Sequence, residues 1–305
     1  MEQARVTFGV VPRGHGFRET VENAALAERL GFHSVWAGDH ILWHAPTPEA
    51  VVMLSAFAAR TERVLLGSGV LLAALRPPAV LAKQWATLDR VSEGRTILGV
   101  GIGGENPLEY ANTGVPLRQR SGRLDETIVV LRRFWSGETF DHDGRYFHLE
   151  RARLDLLPDQ RPAPPIWVGG RAPLSLRRAG RLGDGWLGFV VAPERYAESW
   201  AAVQAHARDA GRDPDALTPA LQVWTQFDPE PDVSRALLAP SIERMYQVPF
   251  ERFAPYLITG NADTWAERIE AYVRAGVRHF TLILGAGEPR EQIEAIARHV
   301  LPRYG

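Results

Sequence analysis

Ser34-Val35-Trp36-Ala37-Gly38-Asp39-His40 is a short apolar run that stops abruptly at an acid and an imidazole. In parallel α/β proteins the C-terminal ends of strands open into the active site, so this stretch predicts a strand that delivers Asp39 and His40 to the place where chemistry occurs. Outward from it, short apolar runs alternate with longer segments of helical period, the pattern of repeated βα units. The strand candidates are Val6–Val11, Ser34–Ala37, Val64–Leu72, Thr96–Ile102, Pro165–Val168, Gly185–Val190, Ala220–Phe227 and Phe280–Leu284. Between them, Leu124, Ile128, Leu131 and Trp135 share one helical stripe, as do Trp265, Ile269, Tyr272 and Val273, and later Ile293, Ile296, Ala297, Val300 and Leu301. Eight strands with intervening helices, and no GxGxxG turn after the first, favour a closed (β/α)₈ TIM barrel in the α/β class over an open doubly wound sheet. Residues 1–305 read as a single domain with insertions after strands four and seven. These are Asp141–Pro164 and Asp228–Pro255, and both are expected to act as lids or substrate-shaping loops.

The chain has 305 residues, 45% of them hydrophobic, with nine tryptophans, enough for one large core. Its 35 basic and 36 acidic residues leave a formal charge of −1, a balance that offers no field for nucleic acid or a membrane surface. There is no cysteine, which excludes disulfides, thiolate nucleophiles and iron–sulfur clusters, and no HxH or HExxH spacing that would suggest a metal. Lys83 is the sole lysine, so Schiff-base chemistry is confined to that position. No leader-like or membrane-length apolar stretch occurs in the sequence, and a cytoplasmic location is expected.

Four stretches could carry chemistry. His40 could exchange protons near neutral pH, although an imidazole at a strand end also serves simply as a loop hydrogen-bonder, and His44 competes for the role. After the fourth strand, Gly99-Val100-Gly101-Ile102-Gly103-Gly104-Glu105 combines glycines, against which a flat ring or phosphate could lie, with an acid that reads either as a second proton-transfer group or as a helix cap. Gly169-Gly170-Arg171 leads into a helix and forms a plausible phosphate cradle, while Arg178 and Arg181 read as an exposed helix face. In the third strand, Gly67-Ser68-Gly69-Val70 places small residues where a barrel interior would need room for a ligand.

In this order, these pieces resemble the luciferase-like flavin-dependent oxidoreductase superfamily, whose members are (β/α)₈ barrels. The likeness rests on Ser34–His40, Gly67–Val70, Arg76–Gly104, Gly122–Trp135, Pro165–Arg171 and Asp184-Gly185-Trp186. Its most specific block is Ala82-Lys83-Gln84-Trp85-Ala86-Thr87-Leu88-Asp89 followed by Gly94-Arg95-Thr96-Ile97-Leu98-Gly99-Val100-Gly101. The Gly38-Asp39-His40 ending is similar to the branch that uses the deazaflavin coenzyme F420, whereas a Glu-His-His ending is typical of FMN monooxygenases. The resemblance implies hydride transfer with a small organic substrate, with FMN-dependent oxygenation and non-catalytic flavin binding as the alternatives. It further implies that Asp39 and His40 face the redox-active ring, with Gly69, Val70, Ile102 and Gly103 beside them. Gly69–Val70 would be a non-proline cis peptide, Gly169, Gly170 and Arg171 would hold the phosphate, and a homodimer is expected. An acid after strand four assists proton transfer in deazaflavin relatives, and Glu105, set back by Gly104, is the candidate here.

Overall fold

Each of the eight strand candidates forms a strand in the computed structural model, which describes residues 5–43, 45–103 and 106–304. In chain order β1 (Thr7–Val11), β2 (Ser34–Ala37), β3 (Leu65–Ser68) and β4 (Thr96–Val100) precede a hairpin of β5 (Phe140–Asp143) and β6 (His148–Ala152). Then follow β7 (Ile166–Gly169), β8 (Gly185–Phe189), β9 (Thr218–Phe227), β10 (Ile258–Gly260) and β11 (His279–Leu284). The helices are α1 (Phe17–Arg29), α2 (Ala50–Ala58), α3 (Pro78–Val91), α4 (Pro107–Asn112) and α5 (Arg120–Trp135), then α6 (Pro173–Leu182), α7 (Pro193–Asp209), α8 (Pro231–Tyr246), α9 (Ala262–Arg274) and α10 (Pro289–His299). Strands β1, β2, β3, β4, β7, β8, β9 and β11 pair in parallel in that order, and β11 returns to β1 to close the barrel. β10 stands outside this ring and, among the described residues, pairs only with Thr225–Phe227 at the end of β9. β3 is shorter than its apolar run suggests: regular pairing ends at Ser68, and the chain touches the sheet again only at the Leu71–Val100 bridge.

The helical stripes bury as their periodicity requires. Leu124, Ile128 and Leu131 of α5, Trp265, Ile269 and Tyr272 of α9, and Ile293 and Ile296 of α10 are all fully buried against the sheet. Inside the barrel, Trp36, Ile97, Trp167, Leu187 and Ala220 form a separate apolar layer, in which the Trp36 and Trp167 rings lie 5.4 Å apart. This layer corrects one expectation. A Cβ on Gly67 would lie only 2.3 Å from the Trp36 ring, so that glycine makes room for an indole and not for a ligand. The barrel is a packed core through its middle, and space opens only beyond it.

Below the tryptophan layer His279 is closed off from water between Thr7 Oγ1 (2.8 Å from Nδ1) and Ser34 Oγ (3.2 Å from Nε2). Outside the barrel, Asp89 at the end of α3 accepts hydrogen bonds from Thr96 Oγ1 (2.6 Å) and from Gln160 Nε2 (2.6 Å). Arg95 donates to the carbonyls of Val64 and Thr61, each at 2.8 Å. The most specific block of the resemblance therefore carries polar ties around the N-terminal ends of β3 and β4, far along the strands from Asp39 and His40.

The two insertions part company. Asp141–Pro164 follows α5 rather than a strand, so it departs from the N-terminal end of the barrel, and its hairpin packs on the outside of α5. There the backbone N–H of Phe147 donates to Glu126 (2.8 Å) and the Arg123 guanidinium lies 4.7 Å from the Phe147 ring. The lid expectation fails for it because only the connections that leave strand C-termini open at the barrel mouth. Asp228–Pro255 is such a connection: it follows β9, contains α8, and lays Leu238 and Ile242 over Trp224 at that mouth.

Burial pulls His279 down to a pKa of about 3, with a smaller contribution from His33. The unfolded chain takes up a proton there below about pH 6.5 while the folded protein refuses it, so stability is lost as pH falls from 6.5 toward 3, by roughly 1.4 kcal/mol per pH unit at most. Urea unfolding at pH 7 and pH 5 should show that loss in the parent protein and a shallower dependence in His279→Gln. Equal slopes would mean that His279 is protonated inside the fold.

Candidate active site

A carboxylate buried at a strand end needs a partner, and Asp39, 3% exposed, has one in Arg76. Arg76 precedes α3, and its guanidinium forms a two-pronged contact with Asp39, Nη1 to Oδ2 at 2.8 Å and Nη2 to Oδ1 at 2.9 Å. The backbone N–H of Leu72 donates to Oδ2 at 3.0 Å, and Arg76 Nη2 reaches Glu49 at 2.8 Å. Burial works against the charge on Arg76, and the bonds and charges of Asp39 and Glu49 outweigh it, so its pKa lies above the ordinary arginine value. The carboxylate of Asp39 is thus engaged with Arg76 and the backbone of the β3–α3 connection.

His40 is set one residue beyond this anchor. Its Nδ1 lies 3.1 and 3.3 Å from the two oxygens of Glu109, whose side chain is fully buried in the first turn of α4. The same carboxylate accepts from the backbone N–H of Ile41 at 2.7 Å, which fixes the turn after His40. Trp43 stacks on the imidazole, centroids 4.0 Å apart and planes 13° from parallel, and its indole Nε1 donates to Met245 Sδ on α8 at 2.9 Å. With Nδ1 facing a carboxylate, the tautomer that satisfies this contact carries its proton on Nδ1, and Nε2, which has no hydrogen-bond partner among the described residues, is then the nitrogen that can accept a proton. Its side chain keeps 24% of its surface exposed, enough for a small molecule to reach it.

Glu109 and Trp43 were not singled out by the sequence. The signal for Glu109 was modest: Asn106-Pro107 starts a helix, with Asn106 Oδ1 accepting from Leu108 N–H at 3.1 Å, and an acid in the first turn ordinarily reads as a solvated cap. Glu105 and Gly104, like His44, lie outside the described residues.

The other predicted residues gather on adjoining strand ends. The Gly69–Val70 peptide is cis, as the resemblance implies. The Val70 side chain projects where Cβ atoms on Gly101 or Gly169 would lie 2.4 and 2.8 Å from it, so these two glycines seat Val70. Gln222 Nε2 donates to the Gly69 carbonyl at 3.1 Å. The Ile102 carbonyl accepts from the Tyr110 hydroxyl, and an added Cβ on Gly103 would press on Leu72, which brings the β4 end beside the Asp39 anchor. On the far side Gly170 has φ 107°, a conformation glycine adopts without strain, and its carbonyl accepts from Trp186 Nε1 at 2.7 Å. Arg171 is exposed and donates to the Val190 carbonyl, and α6 begins beside it with no side-chain hydrogen bond at its N-cap, Ala172. Arg178, by contrast, is buried and bonded to Ser121 Oγ (2.7 Å) and Asp125, which corrects its reading as part of an exposed face, whereas Arg181 is exposed. Among the described residues no cluster of acids and histidines could hold a metal ion, and no helix is long and apolar enough to cross a membrane.

Residues 3–300 match the family model for luciferase-like monooxygenases. An F420-dependent glucose-6-phosphate dehydrogenase of Microbacterium testaceum is 31% identical, with 94% of each chain covered. Among solved structures, an F420-dependent secondary alcohol dehydrogenase in complex with an F420–acetone adduct superposes with a TM-score of 0.86 at 24% identity, over 97% of this chain and 98% of that one. A monooxygenase from Streptomyces bottropensis superposes with a TM-score of 0.85 at 25% identity, over 98% of this chain and all of the other (100%).

Removing the guanidinium in Arg76→Met leaves Asp39 buried without a counter-charge. Urea denaturation at pH 7 should show a loss of about 3–5 kcal/mol. A loss under 1 kcal/mol would show that Asp39 does not depend on Arg76.

Proposed function

The chain belongs to the luciferase-like monooxygenase family, as a flavin- or deazaflavin-dependent oxidoreductase, and on that premise we propose that it moves a hydride between coenzyme F420 and a small hydroxyl- or carbonyl-bearing molecule. The observation that carries this reading is the His40–Glu109 pair at the end of β2, an imidazole with one nitrogen committed to a buried carboxylate and the other open.

The lining of the mouth supports this reading. Beside His40, a Cβ added to Gly38 would meet nothing nearer than the Gly69 carbonyl at 4.0 Å, so a planar ring has room there. Gly69, Val70, Ile102 and Gly103 would border that ring, and Gly169, Gly170 and Arg171 with the start of α6 would hold a phosphate. When bound, the deazaflavin supplies a two-electron carbon centre that takes or gives a hydride. His40 Nε2 accepts the proton of the substrate hydroxyl as the C–H bond gives up its hydride, and returns it in the reverse direction. Glu109 keeps the proton of Nδ1 in place and stabilises the imidazolium that forms. Asp39 acts through Arg76 as a positioning residue, and Trp43 holds the plane of the imidazole.

FMN-dependent oxygenation is the second reading, favoured by the likeness to the Streptomyces bottropensis monooxygenase. Fluorescence titration with each oxidised cofactor separates the two: binding of FMN with none of F420 would overturn the first.

His40→Ala should lower kcat by roughly 10²–10⁴-fold and leave the Kd for F420 within a few-fold. A fully active variant would return His40 to a structural role. Arg171→Ala should weaken binding of the phosphorylated cofactor far more than that of its phosphate-free core. Equal weakening of both would place the phosphate elsewhere.

A further inference from the structure

Three methionines occur in the sequence, and they differ in what can reach them. Met53 is buried in α2 at 5% exposure and Met1 lies outside the described residues, whereas Met245, in the last turn of α8, is half-buried at the barrel mouth. Its sulfur accepts the indole N–H of Trp43 at 2.9 Å, and that indole stacks on His40 with centroids 4.0 Å apart. A thioether is a weak acceptor. An amide or carbonyl oxygen would hold the indole as well or better, and a thioether adds to that role only its reactivity toward oxidants.

Both partners of this contact stand on backbone that is fixed from elsewhere. On the Met245 side, the Gln247 N–H donates to the Glu243 carbonyl at 2.9 Å, and the Glu243 carboxylate accepts the Phe250 N–H at 3.0 Å. Tyr246 accepts from Trp224 Nε1 at 2.9 Å, and Ile242, one turn earlier, is fully buried. On the Trp43 side, Glu109 accepts the N–H groups of Ile41 (2.7 Å) and Leu42 (3.3 Å), and Asn106 Nδ2 donates to the Leu42 carbonyl at 2.9 Å. With the two backbones held, an atom inserted between Met245 Sδ and Trp43 Nε1 is taken up by movement of the indole.

Oxidation of the sulfur inserts such an atom. Hydrogen peroxide gives one oxygen to the thioether and leaves with the other as water; the sulfur loses two electrons in becoming a sulfoxide, and the broken O–O bond takes them up. The new oxygen is the better acceptor, so the Trp43 N–H turns to it and the indole leaves its parallel position on the imidazole. We propose that Met245 is a peroxide-oxidation site whose sulfoxide displaces Trp43 from His40. The consequence for activity rests on the hydride-transfer reading of His40: displacement slows proton transfer at Nε2, and reduction of the sulfoxide restores it.

Peroxide treatment of the purified protein, followed by tryptic mass spectrometry and proton NMR, tests the assignment. The peptide that begins at Met245 should gain one oxygen about 10-fold faster than the peptide holding Met53, in keeping with their exposure. The Trp43 ring shields the imidazole protons of His40, whose signals are identified by their loss in His40→Gln. Oxidation should move them downfield, and methionine sulfoxide reductases should return them. Met245→Gln offers an amide oxygen at similar reach and has no sulfur to oxidise, so its His40 signals should stay shielded before and after peroxide. Met245→Leu, without an acceptor, should show the unshielded position from the start. Oxidation of Met245 no faster than that of Met53, or oxidised protein with unmoved His40 signals, overturns the proposal. Reduction of F420 with isopropanol or glucose 6-phosphate should fall by up to about 100-fold on oxidation, the effect of a small misplacement of a reacting group. Moved signals with undiminished turnover would overturn the proton-transfer role of His40 and leave the oxidation site standing.

Discussion

A carboxylate that ends a strand with almost no exposure must be neutralised, and the pairing of Asp39 with Arg76 does this at the barrel mouth. The contact ties the C-terminal end of β2 to the start of α3, and the Leu72 N–H draws the irregular segment after β3 to the same point. Glu49, at the start of α2, closes the network from a third direction. The direction in which His40 leaves the sheet follows from this anchor. Because desolvating two charges offsets most of their attraction, apolar residues of similar size in place of the pair would leave the fold about as stable. The pair is better understood as setting geometry than as supplying stability.

His40 is then defined by what surrounds it. Glu109 selects which ring nitrogen carries the proton, and Trp43 limits rotation of the ring; neither is near His40 in both sequence and structure without the fold. Trp43 is three residues away but is itself held by Met245 on α8, 202 positions further along the chain. The connection from β9 therefore reaches back over the mouth and bears on the residue proposed to move the proton.

Much of the apparent invitation to a ligand is answered by the protein itself. Gly67 accommodates Trp36, and Gly101 and Gly169 accommodate Val70. Small residues at strand ends carry no label for what fills the space they leave. Local pattern alone cannot distinguish an indole from a coenzyme. The block of sequence that most specifically marks the family is similarly occupied with architecture, since Asp89, Arg95 and Thr96 tie loops at the far end of the barrel.

By itself the sequence determined the alternation of strands and helices, the closure expected of eight parallel strands, and the position of Asp39 and His40 at the end of the second. These follow from hydrophobic periodicity and chain direction, which are local and read residue by residue. Only the tertiary structure decided that Asp39 belongs to Arg76, that the acid on His40 is Glu109, that Arg178 is buried, and that Asp141–Pro164 lies against α5 rather than over the mouth. Each of these depends on which helix start or strand end comes to lie beside which. Glu109 is 69 positions from His40, and nothing in a first-turn glutamate reveals whether it faces water or an imidazole. Pairing across such separations is fixed by barrel closure and packing, and the charge of a side chain acquires its role only when that packing removes water from around it.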